Sequence, residues 1–345
     1  MRQRLLVALA AVLLPASGCA RAPTTLSLLV WEGYADRSFT EPFERRMGCK
    51  VSATYVGSMD EFFAKIKGGG ASTYDLISPS CNAWKRFIDS GLVEPIDLEH
   101  VPNFKRLAPA FQSLQGNSKD GSVYGVTFTW GPCPITFSRD AVPQDPASWA
   151  VLFDRRYRGR VAVNDDLTTL YTVALYMGFR DPYSLSDEQL QQVKLKLLDL
   201  KPQIRKYWST AGELENLFAN GEVDIALSWP LITNNLRKQG RKVGEVTPAE
   251  GATGWIDSWM IVKGTRHKDL AEQWINYMLE PETQKALTGV TAYCPAVPET
   301  ASLLSPEEAH DLHIDDPSYF DRLSFWGHVE RLDRYTEVWN EVKAE

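Results

Sequence analysis

The feature that most constrains this chain is the alternation of short apolar runs with amphipathic stretches. Leu26 to Trp31 (LSLLVW), Val51 to Val56, Tyr74 to Ser78 (YDLIS), Val161 to Val163, Val223 to Ser228 and Ser258 to Val262 each have the length and content of a buried strand. Helical signals lie between them. Ser58 with Glu61, Ser186 with Gln189 and Thr210 with Glu213 have capping-box spacing, Gly68-Gly69-Gly70 terminates the first of these helices, and Ser305-Pro306-Glu307-Glu308 opens another. Further helices are expected at about 40–47 and through Trp84, Phe87 and Ile88. Leu170, Val173, Ala174 and Met177 share one stripe, and Ala271, Trp274, Ile275, Met278 and Leu279 share another. Val329, Leu332, Tyr335, Trp339 and Val342 form the expected inner stripe of the last helix. Strands and helices alternating in this way predict an α/β fold with parallel or mixed sheets and flanking helices. No fixed repeat period occurs, which excludes a solenoid or propeller.

The 345 residues suffice for about two domains. A composition of 44% hydrophobic and 23% charged residues excludes a disordered chain and a multi-span membrane protein. The 37 basic residues fall short of the 44 acidic ones, for a net charge of −7, and two of the basic ones, Arg2 and Arg4, belong to the leader. No nucleic-acid partner is expected, because neutralising phosphates takes clustered Lys and Arg. A cationic ligand suits the balance better.

Arg2 and Arg4, the apolar run Leu5 to Leu14 and the small residues Ala16-Ser17-Gly18 before Cys19 have the form of an export signal, too short to span a bilayer. Residues 1–18 are therefore expected to be a signal peptide. The stretch resembles a bacterial lipoprotein signal, which implies acylation of Cys19 as the first mature residue, with 19–25 as a tether. That implies a periplasmic or cell-surface protein held to the membrane by lipid. Cys49, Cys81, Cys133 and Cys294 remain, and four cysteines allow three pairings among which the sequence does not choose. No metal site is expected: the cysteines are far apart, and His310 and His313 read as a solvated helix face. No HExxH, CxxC, GxSxG or P-loop pattern occurs, so no cofactor and no enzymatic activity are expected.

Ligands of open α/β sheets lie at the carboxyl ends of strands. Those positions carry Trp31-Glu32-Gly33-Tyr34, Pro79-Ser80-Cys81-Asn82, Asp165-Asp166 and Trp229, while Trp255-Ile256-Asp257 is read as preceding its strand and Tyr293 as following a helix pair.

At these residues the chain resembles the spermidine/putrescine-binding proteins of bacterial ABC importers. The resemblance rests on VWEGY (30–34), YDLISPS (74–80), GLVEPID (91–97), VNDD (163–166), LSWP (227–230), EGATGWIDSW (250–259) and TAYCPAVPE (291–299), in the family's order and spacing. It implies a two-lobed periplasmic-binding-protein fold of type II, with lobe 1 at 26–129 plus 256–297 and lobe 2 at 130–255 plus 298–345. The lobes would close on the ligand about a hinge. It implies a monomer that captures a polyamine and delivers it to an ABC permease. Carried over position by position, the aromatic box corresponds to Trp31, Tyr34, Trp229, Trp255 and Tyr293, and the polar and acidic anchors to Ser80, Asp166 and Asp257. The chemistry of such a ligand agrees: methylenes need flat apolar walls and each ammonium needs a carboxylate.

Three positions depart from the family. Thr169 stands where spermidine binders carry a second acid, Asn82 where they carry an aromatic, and Gly327 where they carry a glutamine; in compensation Glu32 adds a carboxylate beside Trp31. The resulting expectation is a ligand that is shorter than spermidine, lies differently in the cleft, or is not a polyamine, with putrescine preferred over spermidine if it is one. Blander roles compete with these assignments: the tryptophans as core, Asp165-Asp166 as a helix N-cap, Glu32 as a solvated loop residue. The competing functions are a binding protein for an amino-acid-like or sugar solute, and an exported hydrolase with Glu32 and Asp257 as paired carboxylates.

Overall fold

The computed structural model describes residues 23–316 and 318–345. The signal peptide and Cys19 lie outside the described residues. Along the chain the first half contains β1 (Thr25–Val30), α1 (Arg37–Met47), β2 (Lys50–Tyr55), α2 (Met59–Gly69), β3 (Leu76–Ile77), α3 (Trp84–Asp89), β4 (Val93–Glu94), α4 (Pro109–Gln112), β5 (Ser118–Lys119), β6 (Ser122–Val123), β7 (Gly125–Pro132) and β8 (Ile135–Ser138). Then follow β9 (Val161–Asn164), α5 (Leu167–Tyr176), α6 (Asp187–Leu200), β10 (Ile204–Trp208), α7 (Ala211–Ala219), β11 (Ile225–Leu227), α8 (Pro230–Lys238) and β12 (Val243–Val246). The last part holds β13 (Ala252–Val262), α9 (Lys268–Met278), α10 (Pro281–Thr291), β14 (Cys294–Pro295), α11 (Pro306–Asp311), β15 (Leu323–Phe325) and α12 (Leu332–Ala344).

Two mixed sheets result. One has the order β14-β7-β13-β3-β1-β2, with β4 and β15 also paired to β13; the other runs β10-β9-β11-β8-β12. In the first, β1 is parallel to β2 and β3, while β13 is antiparallel to β3 and β7. In the second, β9 is parallel to β10 and β11, and β8 antiparallel to β11 and β12. The protein is thus two-lobed, each lobe an α/β layer stack around its own sheet. The chain leaves the first sheet through Cys133-Pro134, returns between Val246 and Ala252, and leaves it again between Phe325 and Leu332.

Local signals account for most helix starts. Ser58 accepts from the Glu61 amide, Ser186 with Gln189 and Ser305 with Glu308 form reciprocal capping boxes, and Thr210 accepts from the Glu213 amide. Four expectations need correction. β13 does not begin at Ser258 but runs eleven residues from Ala252, all buried, so Trp255 and Asp257 sit inside a central strand. Leu332 is not on the inner stripe of α12: it is 42% exposed, and Val338 takes its place in the core. No pairing of the four cysteines is realised. Cys49, Cys81, Cys133 and Cys294 are free, with the Cys81 thiol donating to the Trp326 carbonyl and that of Cys294 to the Leu312 carbonyl. His310 and His313 do not share a helix face, since α11 ends at Asp311; His310 pairs with Asp315 and His313 stacks on Tyr319.

Candidate functional site

A cavity of about 660 Å³ lies between the two lobes. Its wall contains Trp31, Glu32, Tyr34, Ser80, Trp255, Asp257 and Tyr293 from the side of the first sheet, and Asp166 and Trp229 from the side of the second. Nine of the ten site residues inferred from the sequence therefore converge on one space. Thr169 does not: it is buried on α5, one helical position past the wall residue Thr168, and its hydroxyl donates to the Asn164 carbonyl at 2.8 Å. The distinction drawn from an acid missing at that position loses its footing, because a side chain there faces the strand rather than the cleft.

The turn after β1 is built by glycine. Gly33 has φ +89°, in the left-handed region, and a Cβ there would approach the Thr291 methyl to 3.0 Å. The Tyr34 amide closes the turn on the Trp31 carbonyl at 3.3 Å, so both aromatic side chains and the exposed Glu32 emerge at the strand end. Partial desolvation at the cleft, and after it the nearby Glu215, raises the Glu32 carboxyl above its ordinary value.

Asp257 occupies the centre. It is 2% exposed, at a break in the β13–β7 register, and it bridges to Ser80 on the chain leaving β3. Oδ2 accepts the Tyr34 hydroxyl at 2.5 Å, whereas Oδ1 has no partner among the described residues. Burial pushes its pKa up to about 7, although the Tyr34 hydrogen bond and the nearby Ser80 side chain favour the ionised form. Desolvation outweighs these interactions: Oδ1 is buried and unpaired among the described residues, while the residue lines the cavity.

The aromatic walls are fixed by edge-to-face contacts. Trp31 packs on Phe62 at 4.9 Å between centroids, Trp229 on Trp208 at 4.8 Å, and Tyr293 on Trp255 at 4.4 Å and Tyr34 at 6.0 Å. Trp255 can lie flat across β7 only because residue 131 is glycine; a Cβ there would come within 2.8 Å of its ring.

On the opposite side Asp166 both caps α5, accepting from the Thr168 amide at 2.7 Å, and lines the cavity; burial raises its carboxyl. Capping and cleft-lining thus fall to one residue, while Asp165 pairs with Lys343 at 2.8 Å. Sequence reasoning missed several wall residues: Tyr171, Trp326 and Trp339 carry no motif and reach the cavity only through tertiary packing. Arg86 and Lys343 also line the wall, and each is paired with an acid, Arg86 with Asp60 at 3.3 Å and Lys343 with Asp165. Six carboxylates (Glu32, Asp60, Glu61, Asp165, Asp166, Asp257) against these two bases make the cavity a cation-attracting space. Elsewhere His100, Asp269 and Glu272 bring ligand atoms within 4.8 Å, but the Glu272 carboxylate is already held by the Asp97 amide and His100.

The lobes also meet beside the cavity. From α8, the Asn234 side chain donates to the Val290 carbonyl at 3.0 Å and the Lys238 ammonium to the Gly289 carbonyl at 2.8 Å, both near the C-terminus of α10.

Comparison with known proteins places this geometry. The family model for the bacterial extracellular solute-binding protein matches residues 38–314. A spermidine/putrescine-binding periplasmic protein of Escherichia coli K12 is 27% identical over 288 residues, 83% of this chain and 82% of the relative. A putrescine/cadaverine-binding protein of Pseudomonas aeruginosa is 27% identical over 84% of this chain and 83% of its own. Among solved structures, a lipoprotein of Treponema pallidum superimposes with a TM-score of 0.80 at 22% identity, covering 93% of this chain and all of that one. A spermidine/putrescine ABC transporter substrate-binding protein of Streptococcus pneumoniae does so with 0.79 at 21%, covering 93% and 99%. The fold is that of the type II periplasmic binding proteins, and the chain belongs to the bacterial extracellular solute-binding protein family, whose members bind solutes for transport.

Proposed function

We propose that this protein is the substrate-binding component of an ABC importer and captures a linear polyamine, putrescine or spermidine, in the interlobe cleft for delivery to the membrane permease. The observation that carries the reading is Asp257: a carboxylate buried within an aromatic box, with Oδ1 unpartnered among the described residues. Holding that group without a counter-ion disfavours its charge, and a ligand ammonium relieves the penalty. Trp31, Trp229, Trp255 and Tyr293 provide faces for the methylenes and cation–π contacts of about 0.5 to 2 kcal/mol each. Asp166 and Glu32 remain for a second ammonium. The relatives named for polyamines support the same class.

The protein acts as a monomer attached to the membrane through a lipid on Cys19, in the periplasm or at the cell surface. We assign lobe 1 to 26–129 with 256–297 and lobe 2 to 130–255 with 298–345. The sheet changes at 133–134 and 247–251 support the first two boundaries to within a few residues, whereas the pairing of β15 with β13 argues for moving the third to just after Phe325. Calorimetry on the delipidated mature protein tests the function. Saturable heat with putrescine, cadaverine, spermidine or spermine is expected; heat only with sugars or amino acids, and none with amines at millimolar levels, would refute it.

A further inference from the structure

Among the described residues, the cleft wall carries one ammonium of its own. Lys343, on the last turn of α12, places Nζ 2.8 Å from an Asp165 carboxylate oxygen and 5.7 Å from the centre of the Trp339 ring. Tyr207 packs edge-on against Trp339 at 5.6 Å between centroids, and its hydroxyl has no partner among the described residues. A carboxylate, an aromatic face and a second aromatic edge are the parts from which the Asp257 site is also built. Here the occupant is a lysine.

The arrangement is held from both ends. Trp339 and Val342 are the buried residues of the last turns of α12, and the Lys201 ammonium donates to the carbonyls of Val342 and Lys343 at 3.0 and 3.2 Å, so the helix end is clamped. Asp165 is fixed by its amide, which donates to the Trp208 carbonyl at 2.9 Å. Lys343, Asp165 and Trp339 all line the same cavity as Asp166 and Asp257.

Resting on the polyamine reading, we propose that Lys343 is a specificity-determining residue: its tethered ammonium fills the subsite at Asp165 and Trp339, so that the cleft takes a diamine and turns away the extra ammonium of a longer amine. A third ligand charge entering this end would meet a like charge and find the carboxylate already neutralised. Lys343 and Asp165 are each about one-third exposed, which screens the effect and limits it to a preference rather than an absolute block.

The test is the ratio of spermidine to putrescine dissociation constants, by calorimetry, for the parent, Lys343→Arg, Lys343→Met and Lys343→Met with Asp165→Asn. Melting temperatures check folding. The parent and Lys343→Arg should favour putrescine, Lys343→Met should lower the ratio about tenfold through tighter spermidine binding, and the added Asp165→Asn should abolish that gain. A ratio unchanged in Lys343→Met, or equal tightening of both amines, overturns the assignment while leaving the polyamine site intact. Absence of binding by either amine to the parent overturns the polyamine reading and this inference together.

Discussion

Replacing Asp257 by asparagine should make the unliganded protein more stable and nearly abolish binding. The carboxyl is raised from the ordinary aspartate value near 4 to about 7, so keeping it ionised in the empty cleft above pH 7 costs roughly 4 kcal/mol. Asparagine removes that cost. Its carbonyl can accept the Tyr34 hydroxyl as the carboxylate does, but its amide group gains no partner among the described residues, a loss of about 1 to 3 kcal/mol. The net expectation is a gain of about 1 to 3 kcal/mol in urea unfolding at pH 8. The sign follows from linkage: the folded protein holds this proton more tightly than the unfolded chain, so the wild-type contribution is present below about pH 4 and is lost as pH rises through about 7. At pH 5 the wild-type group is mostly protonated and the advantage of asparagine should largely vanish. Affinity for a diamine at pH 8 should fall by about 2 to 5 kcal/mol, or roughly 30-fold or more, because an ammonium is left without its charge partner. A variant that is less stable than the parent at pH 8, or that binds amines equally well, would refute the reasoning.

Diamine affinity should rise about tenfold from pH 6 to pH 8 as Asp257 ionises, and calorimetry on Asp257→Asn should give a flat profile. Gly131→Ala should displace the Trp255 ring, since its Cβ would lie 2.8 Å from it, lowering affinity and shifting tryptophan fluorescence at a stability cost of about 1 to 3 kcal/mol; unchanged emission and affinity would contradict this. Asn234→Ala with Lys238→Met removes two contacts that join the lobes at the end of α10, and stopped-flow should show ligand release several-fold faster, about 3- to 10-fold.

What the sequence made legible was mostly local chemistry. The caps at Ser58, Ser186, Thr210 and Ser305 were readable because they act within four residues, and the strand-end residues of β1, β9 and β11 could be placed because parallel strands deliver ligand groups at a fixed end. The first half of β13 was hidden: Thr253, Gly254 and Asp257 interrupt its apolar run, and a strand buried on both faces shows no alternation to reveal it. Leu332 was misplaced because spacing fixes a face but not what covers it: it opens α12 and borders the open cleft rather than the packed core, while Val329 lies before the helix. Trp326, Trp339 and Lys343 could not be assigned to the cleft from their neighbours in sequence. They arrive there because the chain leaves β15 and sets α12 against α6, a packing decision made by residues far away. Thr169 shows the converse: a position carried over by resemblance can turn inward when its hydroxyl finds a carbonyl.

The most direct test of the central claim is a crystal structure of the mature protein with putrescine. One ammonium should lie within hydrogen-bond distance of Asp257 Oδ1, with the methylenes against the Trp255 and Tyr293 rings. A diamine bound outside the cleft, or within it but with Asp257 contacted only by Tyr34 and Ser80, would contradict the account.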